Sequence, residues 1–202
     1  MNLSELRELQ YITPIANVTS IIQHGIVCFD RAQALGAVSV ANEEVQVIRA
    51  TRKVQGGLSL HSYVCLYFHA RNPMLSEIRS RCEELCVLSI STDVLRLPGV
   101  VIADRNAARN FVRFTTSPEG LATLDAALVY AKWWTGNRFI DDDPAQADKR
   151  KGAKCAEALI PVPVETRYII GAKVCSKTAM ERLRALAPAW TISVDPGFFF
   201  LR

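Results

Sequence analysis

Long apolar runs are missing from this 202-residue chain. None approaches the ~20 residues needed to span a bilayer, and the opening MNLSELRELQ lacks a signal-peptide core. A cytoplasmic protein with no membrane partner is therefore expected. Glycine-rich phosphate cradles are missing too: there is no G-x-G-x-x-G and no P-loop, so a dinucleotide would need another kind of site. No internal repeat or low-complexity tract is visible. Histidine is scarce, and His24, His61 and His69 stand at no ligand-like spacing. Cys82-x-x-x-Cys86 has helical spacing but no second Cys or His pair, so no bound metal is expected. Runs of one charge are short. The net charge is +4, with Lys and Arg scattered, which permits a nucleic-acid partner without demanding one.

What is present is enough apolar material for one folded domain. Half of the residues are hydrophobic, and residues 1–202 fit a single domain with a proper core. The cysteines at 28, 65, 82, 86, 155 and 175 read as reduced thiols in a cytoplasmic chain. Tyr11-Ile12-Thr13 predicts a short strand closed by Pro14. Asn17 is placed to cap a helix carrying Ile21 and Ile22, with Gly25 ending it. Asp30 to Lys53 has weak periodicity and reads as a long connection with a helical turn or two. Strands are expected at 62–68, 86–91, 100–104, 156–164, 169–175 and 190–194. Helices are expected over 121–134 and from the Ser176 cap through Leu186. Strands cluster in both halves without regular alternation with helices, which favours an α+β fold.

A few residues stand out chemically. Ser62 to Phe68 feeds straight into Arg71-Asn72-Pro73, which puts a cation at the end of an apolar strand. Glu157 interrupts the apolar run Cys155 to Ile160; at period two, Cys155, Glu157 and Leu159 share a face. A carboxylate there is either exposed at a sheet edge or held in a cleft. Arg49 lies with Arg52 and Lys53 just before Gly56-Gly57, either on a solvated face or in an anion clamp. Asp141-Asp142-Asp143 reads as a solvated acidic loop, since neighbouring side chains in a run cannot all converge on one ion.

Taken in order, these segments resemble the DarT family of toxins, which transfer ADP-ribose from NAD to bases of DNA. Tyr11-Ile12-Thr13, Asn17, Ile21-Ile22 and Gly25 resemble its N-terminal block. Arg49 and Val54, then Gly56-Gly57, Leu60-His61-x-Tyr63-Val64, Leu66-Tyr67-Phe68 and Arg71-Asn72-Pro73-Met74-Leu75 resemble the central block. Lys154 to Leu159 resembles the segment with the family's catalytic glutamate, and Trp190 to Phe200 its C-terminal strand pair. The chain departs from the pattern at Tyr11, Thr13 and Pro14, where many members have His-x-Thr-His, and at Cys65, where proline is frequent. LYFHARNPML is closer to the guanine-modifying branch than to the thymine-modifying FYFxPRSPMLY.

The resemblance implies an ADP-ribosyltransferase fold: two small sheets forming an NAD cleft flanked by helices. It implies Glu157 and Arg49 as catalytic residues, and Tyr11, Thr13, Asn17, Ile21, Arg49 and Tyr67 around NAD. Arg71, Met74, Arg52 and Lys154 would face single-stranded DNA, and the connection from Asp30 to Gln46 would cover NAD. It further implies a toxin that modifies guanine, with thymine as the alternative, and a cognate antitoxin that binds it or removes the ADP-ribose. An enzyme of the same fold acting on RNA or protein, and an inactive NAD- or nucleic-acid-binding module, are the competing readings.

Overall fold

The computed structural model describes residues 1–54, 56–134 and 143–201. Its centre is a sheet of eight strands: β1 (Leu9–Pro14), β2 (Val64–Tyr67), β3 (Leu85–Ile90), β4 (Val101–Ala103), β5 (Phe114–Thr116), β6 (Glu157–Ile160), β7 (Ile169–Val174) and β8 (Ile192–Val194). The order is β5-β4-β6-β2-β1-β3-β7-β8, antiparallel throughout except for the β7–β8 edge pair. The resemblance implies two small sheets; the strands instead form one continuous ladder. The reason for the difference is local. β1 pairs with β3 along six positions but meets β2 only at Gln10 and Tyr67. Two four-stranded halves are thus joined at a single register pair, and the backbones diverge on either side of it.

Among the described residues seven α-helices flank the sheet: α1 (Val18–His24), α2 (Phe29–Ala34), α3 (Glu43–Thr51), α4 (Pro73–Glu77), α5 (Ala126–Val129), α6 (Pro144–Ala153) and α7 (Lys177–Leu186). α1 ends at Gly25, whose φ of +73° suits glycine. A β-carbon there would also lie 2.6 Å from the Val164 carbonyl oxygen. α7 begins at Ser176, whose side chain accepts the Ala179 N–H, and buries Ala179 and Leu183. The stretch 30–53, expected as a long connection with a helical turn or two, holds most of α2 and all of the nine-residue α3. α3 escapes periodicity because its apolar side is inverted: Val47 is 69% and Ile48 44% exposed, whereas Arg49 is 7% exposed. The helix expected over 121–134 is broken into a 3-10 turn, Glu119–Thr123, and α5. The Asp125 side chain accepts the Leu128 N–H and starts a new turn.

Burial follows the middle strands. All six residues of β3 and all four of β6 are buried. On β6 this reflects two cores: Ala158 and Ile160 join the main cluster, while Leu159 joins Val54, Leu60, Tyr63, Ala103 and Ala107 in a second. Glu157, two residues before Leu159, shares the second cluster's side. Asp141 and Asp142 lie outside the described residues. Among those residues no helix is long and apolar enough to cross a membrane, and no group of three or more His, Cys, Asp or Glu is arranged to hold a metal. All six cysteines are free.

Candidate active site

The gap between β1 and β2 is the site. An open cleft of about 940 Å³, open solvent included, is lined by Tyr11, Thr13, Asn17, Arg49, Tyr67 and Glu157, together with Cys65, Gln46 and Met74. Strand periodicity puts Tyr11 and Thr13 on one face of β1, and Cys65 and Tyr67 on one face of β2. Glu157 arrives through register, opposite Tyr67 on β2 and Ala103 on β4. A second cavity of about 1010 Å³ shares Arg49, Tyr67, Gln46 and Met74 with the first and adds Asn106, Ala108, Arg109 and Lys151. Two openings therefore meet at Arg49 and Tyr67.

Arg49 and Glu157 form a bidentate pair on the cleft floor. Nη1 donates to Oε1 at 3.1 Å and Nη2 to Oε2 at 3.3 Å, with the carboxylate 1% exposed. Oε1 also accepts the backbone N–H of Ala107 at 2.6 Å. Nη1 further reaches Asn106 Oδ1 at 3.4 Å, and Nη2 reaches Cys65 Sγ at 2.6 Å. Burial alone would make the guanidinium easier to deprotonate. The Glu157 carboxylate, paired and hydrogen-bonded to it, opposes that and raises its pKa, so the cation is permanent. The Cys65 thiol is pushed up to about 12 by burial and stays neutral. Burial, then the Glu157 charge, holds the Tyr67 phenol well above its usual range; Tyr11 rises to about 12, chiefly by burial. The result is a fixed cation paired with a carboxyl group, beside two neutral phenols. Among the described residues Oε2 receives one N–H, from Arg49 Nη2, and a carboxylate oxygen can accept more than one hydrogen bond.

Asn17 sits at the start of α1, but its side chain does not cap it. It accepts the Val38 N–H and donates to the Val38 carbonyl, both at 2.9 Å, and donates to Thr13 Oγ1 at 3.3 Å. It thereby ties the segment 37–41, part of the cleft wall, to β1. Tyr67 donates its hydroxyl to Met74 Sδ at 3.1 Å. Ile21 is a correction: it is 6% exposed in the main core and borders only a smaller recess behind Tyr11 and Thr13.

Three of the four expected DNA-facing residues are otherwise engaged. Lys154 is 1% exposed and gives its three protons to the Val129 and Ala131 carbonyls, at 2.9 and 3.0 Å, and to His69 Nδ1 at 2.6 Å; no donor remains for a phosphate. Arg52 donates to the Ala107 and Arg109 carbonyls and to Asn110 Oδ1, fastening the loop after β4. The Arg71 guanidinium lies between Trp133 and Phe200, 4.7 and 4.2 Å from their ring centroids, and donates to the Gly197 and Lys132 carbonyls. Met74 lines both cavities. Sequence reasoning missed Cys65, Asn106 and the Ala107 amide. Cys65 carried a signal, standing two residues before Tyr67 on one strand face, whereas a backbone N–H carries none.

The fold carrying this parted sheet superposes on solved DarT structures, and the family comparison agrees. Residues 10–200 match the family described as DarT, ssDNA thymidine ADP-ribosyltransferase, and the chain belongs to that family. It is 28% identical over 203 residues to a DNA ADP-ribosyl transferase–DNA ADP-ribosyl glycohydrolase fusion protein of Thermosipho africanus, covering 96% of this chain and 50% of that one. The chain thus spans about half the length of that relative. The Thermosipho africanus protein solved with ADP-ribose superposes with a TM-score of 0.81 at 25% identity, covering 96% of this chain and 51% of that one. Thermus sp. 2.9 DarT with ADP-ribosylated single-stranded DNA superposes at 0.79, 24% identity and 98% of both chains.

Proposed function

We propose that this protein transfers ADP-ribose from NAD to a base of single-stranded DNA, releasing nicotinamide. The observation that carries the reading is the bidentate Arg49–Glu157 pair at the junction of two cavities, one for each substrate. The donor set suits NAD in the first. Tyr11 and Tyr67 offer flat faces to a planar ring, and Thr13 offers a hydroxyl to the nicotinamide amide. Breaking the N-glycosidic bond leaves positive charge on the ribose. A carboxylate already held in position by Arg49 and the Ala107 N–H stabilises that charge without reorganising. Arg49 holds the carboxylate in place with two of its four terminal N–H groups and gives the other two to Asn106 and Cys65; this supports an orienting role over a phosphate clamp. The open Oε2 is the atom suited to a ribose hydroxyl or to the proton of the attacking base nitrogen.

The base must leave a duplex stack before its ring nitrogen can reach Oε2, which favours single strands. The Tyr67 to Leu75 block supports guanine, and the family description supports thymidine. The Thermosipho relative's name joins transferase and glycohydrolase in one chain. That supports a toxin role here, with a cognate antitoxin that binds the protein or removes ADP-ribose. The experiment is incubation with NAD and four single strands, each enriched in one base, read by mass. One ADP-ribose on one strand, suppressed by the complementary strand, is expected. Equal modification of duplex and single strand, or of protein alone, would refute the assignment.

A further inference from the structure

The loop 104–113 between β4 and β5 is fastened along its length. Ala107 is bound to Glu157, and Arg52 grips the carbonyls of Ala107 and Arg109. The Arg113 N–H donates to Asp104 Oδ1 at 3.0 Å, and Arg109 pairs with Asp148 on α6. Within this anchored loop Phe111 is 90% exposed and holds φ at +59°. A bulky residue in the left-handed region is disfavoured and persists only where its surroundings impose it. The fastenings impose it here, and the product is an aromatic ring held out in water beside the second cavity, whose wall includes Arg109 two residues earlier. Exposed Arg113 follows it in the chain, and exposed Lys151 lies on the same cavity.

We propose that Phe111 is a stacking post for a nucleobase next to the target base on single-stranded DNA, with Arg113 and Lys151 on the adjoining phosphates. The proposal rests on the substrate assigned above. A strand that sends one base into a cavity leaves its neighbours unstacked, and an aromatic ring can replace the lost stacking for any base. A single exposed ring flanked by cations suits that task better than a protein interface, which needs a broader apolar centre. Arg109, already paired with Asp148, anchors the loop.

The test is binding of a fluorescently labelled single strand by the full chain without NAD, so that no turnover intervenes. It is followed by KM and kcat for the same strand with NAD. Phe111→Ala should weaken binding about tenfold and raise KM for the strand with kcat held, while NAD affinity is unchanged. Phe111→Trp should bind as the parent does. Phe111→Gly removes both the ring and the backbone strain, so it should bind as weakly as Phe111→Ala while keeping or raising Tm. Parent-like binding by Phe111→Ala, or equal loss in Phe111→Trp, would overturn the stacking post. Failure of the parent to modify any strand would count against the proposed function instead, and the binding measurement would still decide the role of Phe111.

Discussion

Two buried cations lie close to β6 and have opposite fates. Arg49 meets a carboxylate at the meeting of two cavities, and the pair retains an open lone pair. Lys154, three residues before Glu157, meets only neutral acceptors, which consume its three protons. Burial lowers its pKa to about 8, with Arg71 adding to the effect. Burial, then Lys154, drives its partner His69 down to about 4, so the imidazole is neutral and Nδ1 accepts. A buried charge is therefore not in itself a sign of chemistry. Unspent hydrogen-bonding capacity facing a cavity separates the Arg49–Glu157 cluster from one that ties chain segments together.

The comparison can be broken by substitution, and the largest effect belongs to Glu157, whose loss should remove transfer. Next is Arg49. Lysine cannot reproduce two parallel N–H bonds, so Arg49→Lys should lose transfer by at least about tenfold and behave more like Arg49→Ala than like the parent. Full single-turnover activity in the lysine variant would place Arg49 outside the mechanism. Lys154→Met should act on stability: it strips the Val129 and Ala131 carbonyls of their donor and should cost about 2 kcal/mol. Urea unfolding with an unchanged midpoint would mean those carbonyls find other partners. The smallest effect is a pH dependence from His69. Its folded pKa of about 4 lies below the ordinary 6.5, so the unfolded chain binds more protons between those values. Its contribution is complete above pH 6.5 and fades as pH falls through 4. His69→Phe should flatten that part of the stability curve, and identical curves for parent and variant would refute the neutral assignment.

Much of this contrast was legible beforehand, for identifiable reasons. Glu157 stands out because a carboxylate inside an apolar strand is unusual, whereas Tyr11, Thr13 and Tyr67 enter only because their segments resemble the family's blocks. Residue type does not reveal what a long cation will touch. The resemblance places Lys154, Arg52 and Arg71 against DNA, yet their partners are carbonyls, an imidazole and aromatic rings distant in sequence. The single sheet was hidden because its halves meet at one register pair. α3 was hidden because its buried residue is an arginine and its exposed ones are apolar. The loop presenting Phe111 gave no sign, since its conformation depends on Arg52 and Asp148, some forty to sixty residues away.

The most direct test of the central claim pairs two readings on Glu157→Gln, folded and at one temperature: NAD affinity by calorimetry, and ADP-ribose transfer to single-stranded DNA by mass. Glutamine keeps the shape of the side chain but not the anion that answers developing charge on the ribose. NAD affinity should stay within a few-fold of the parent, while transfer falls by at least a hundredfold, roughly 3 kcal/mol of transition-state stabilisation. Parent-like transfer from folded Glu157→Gln would contradict the account.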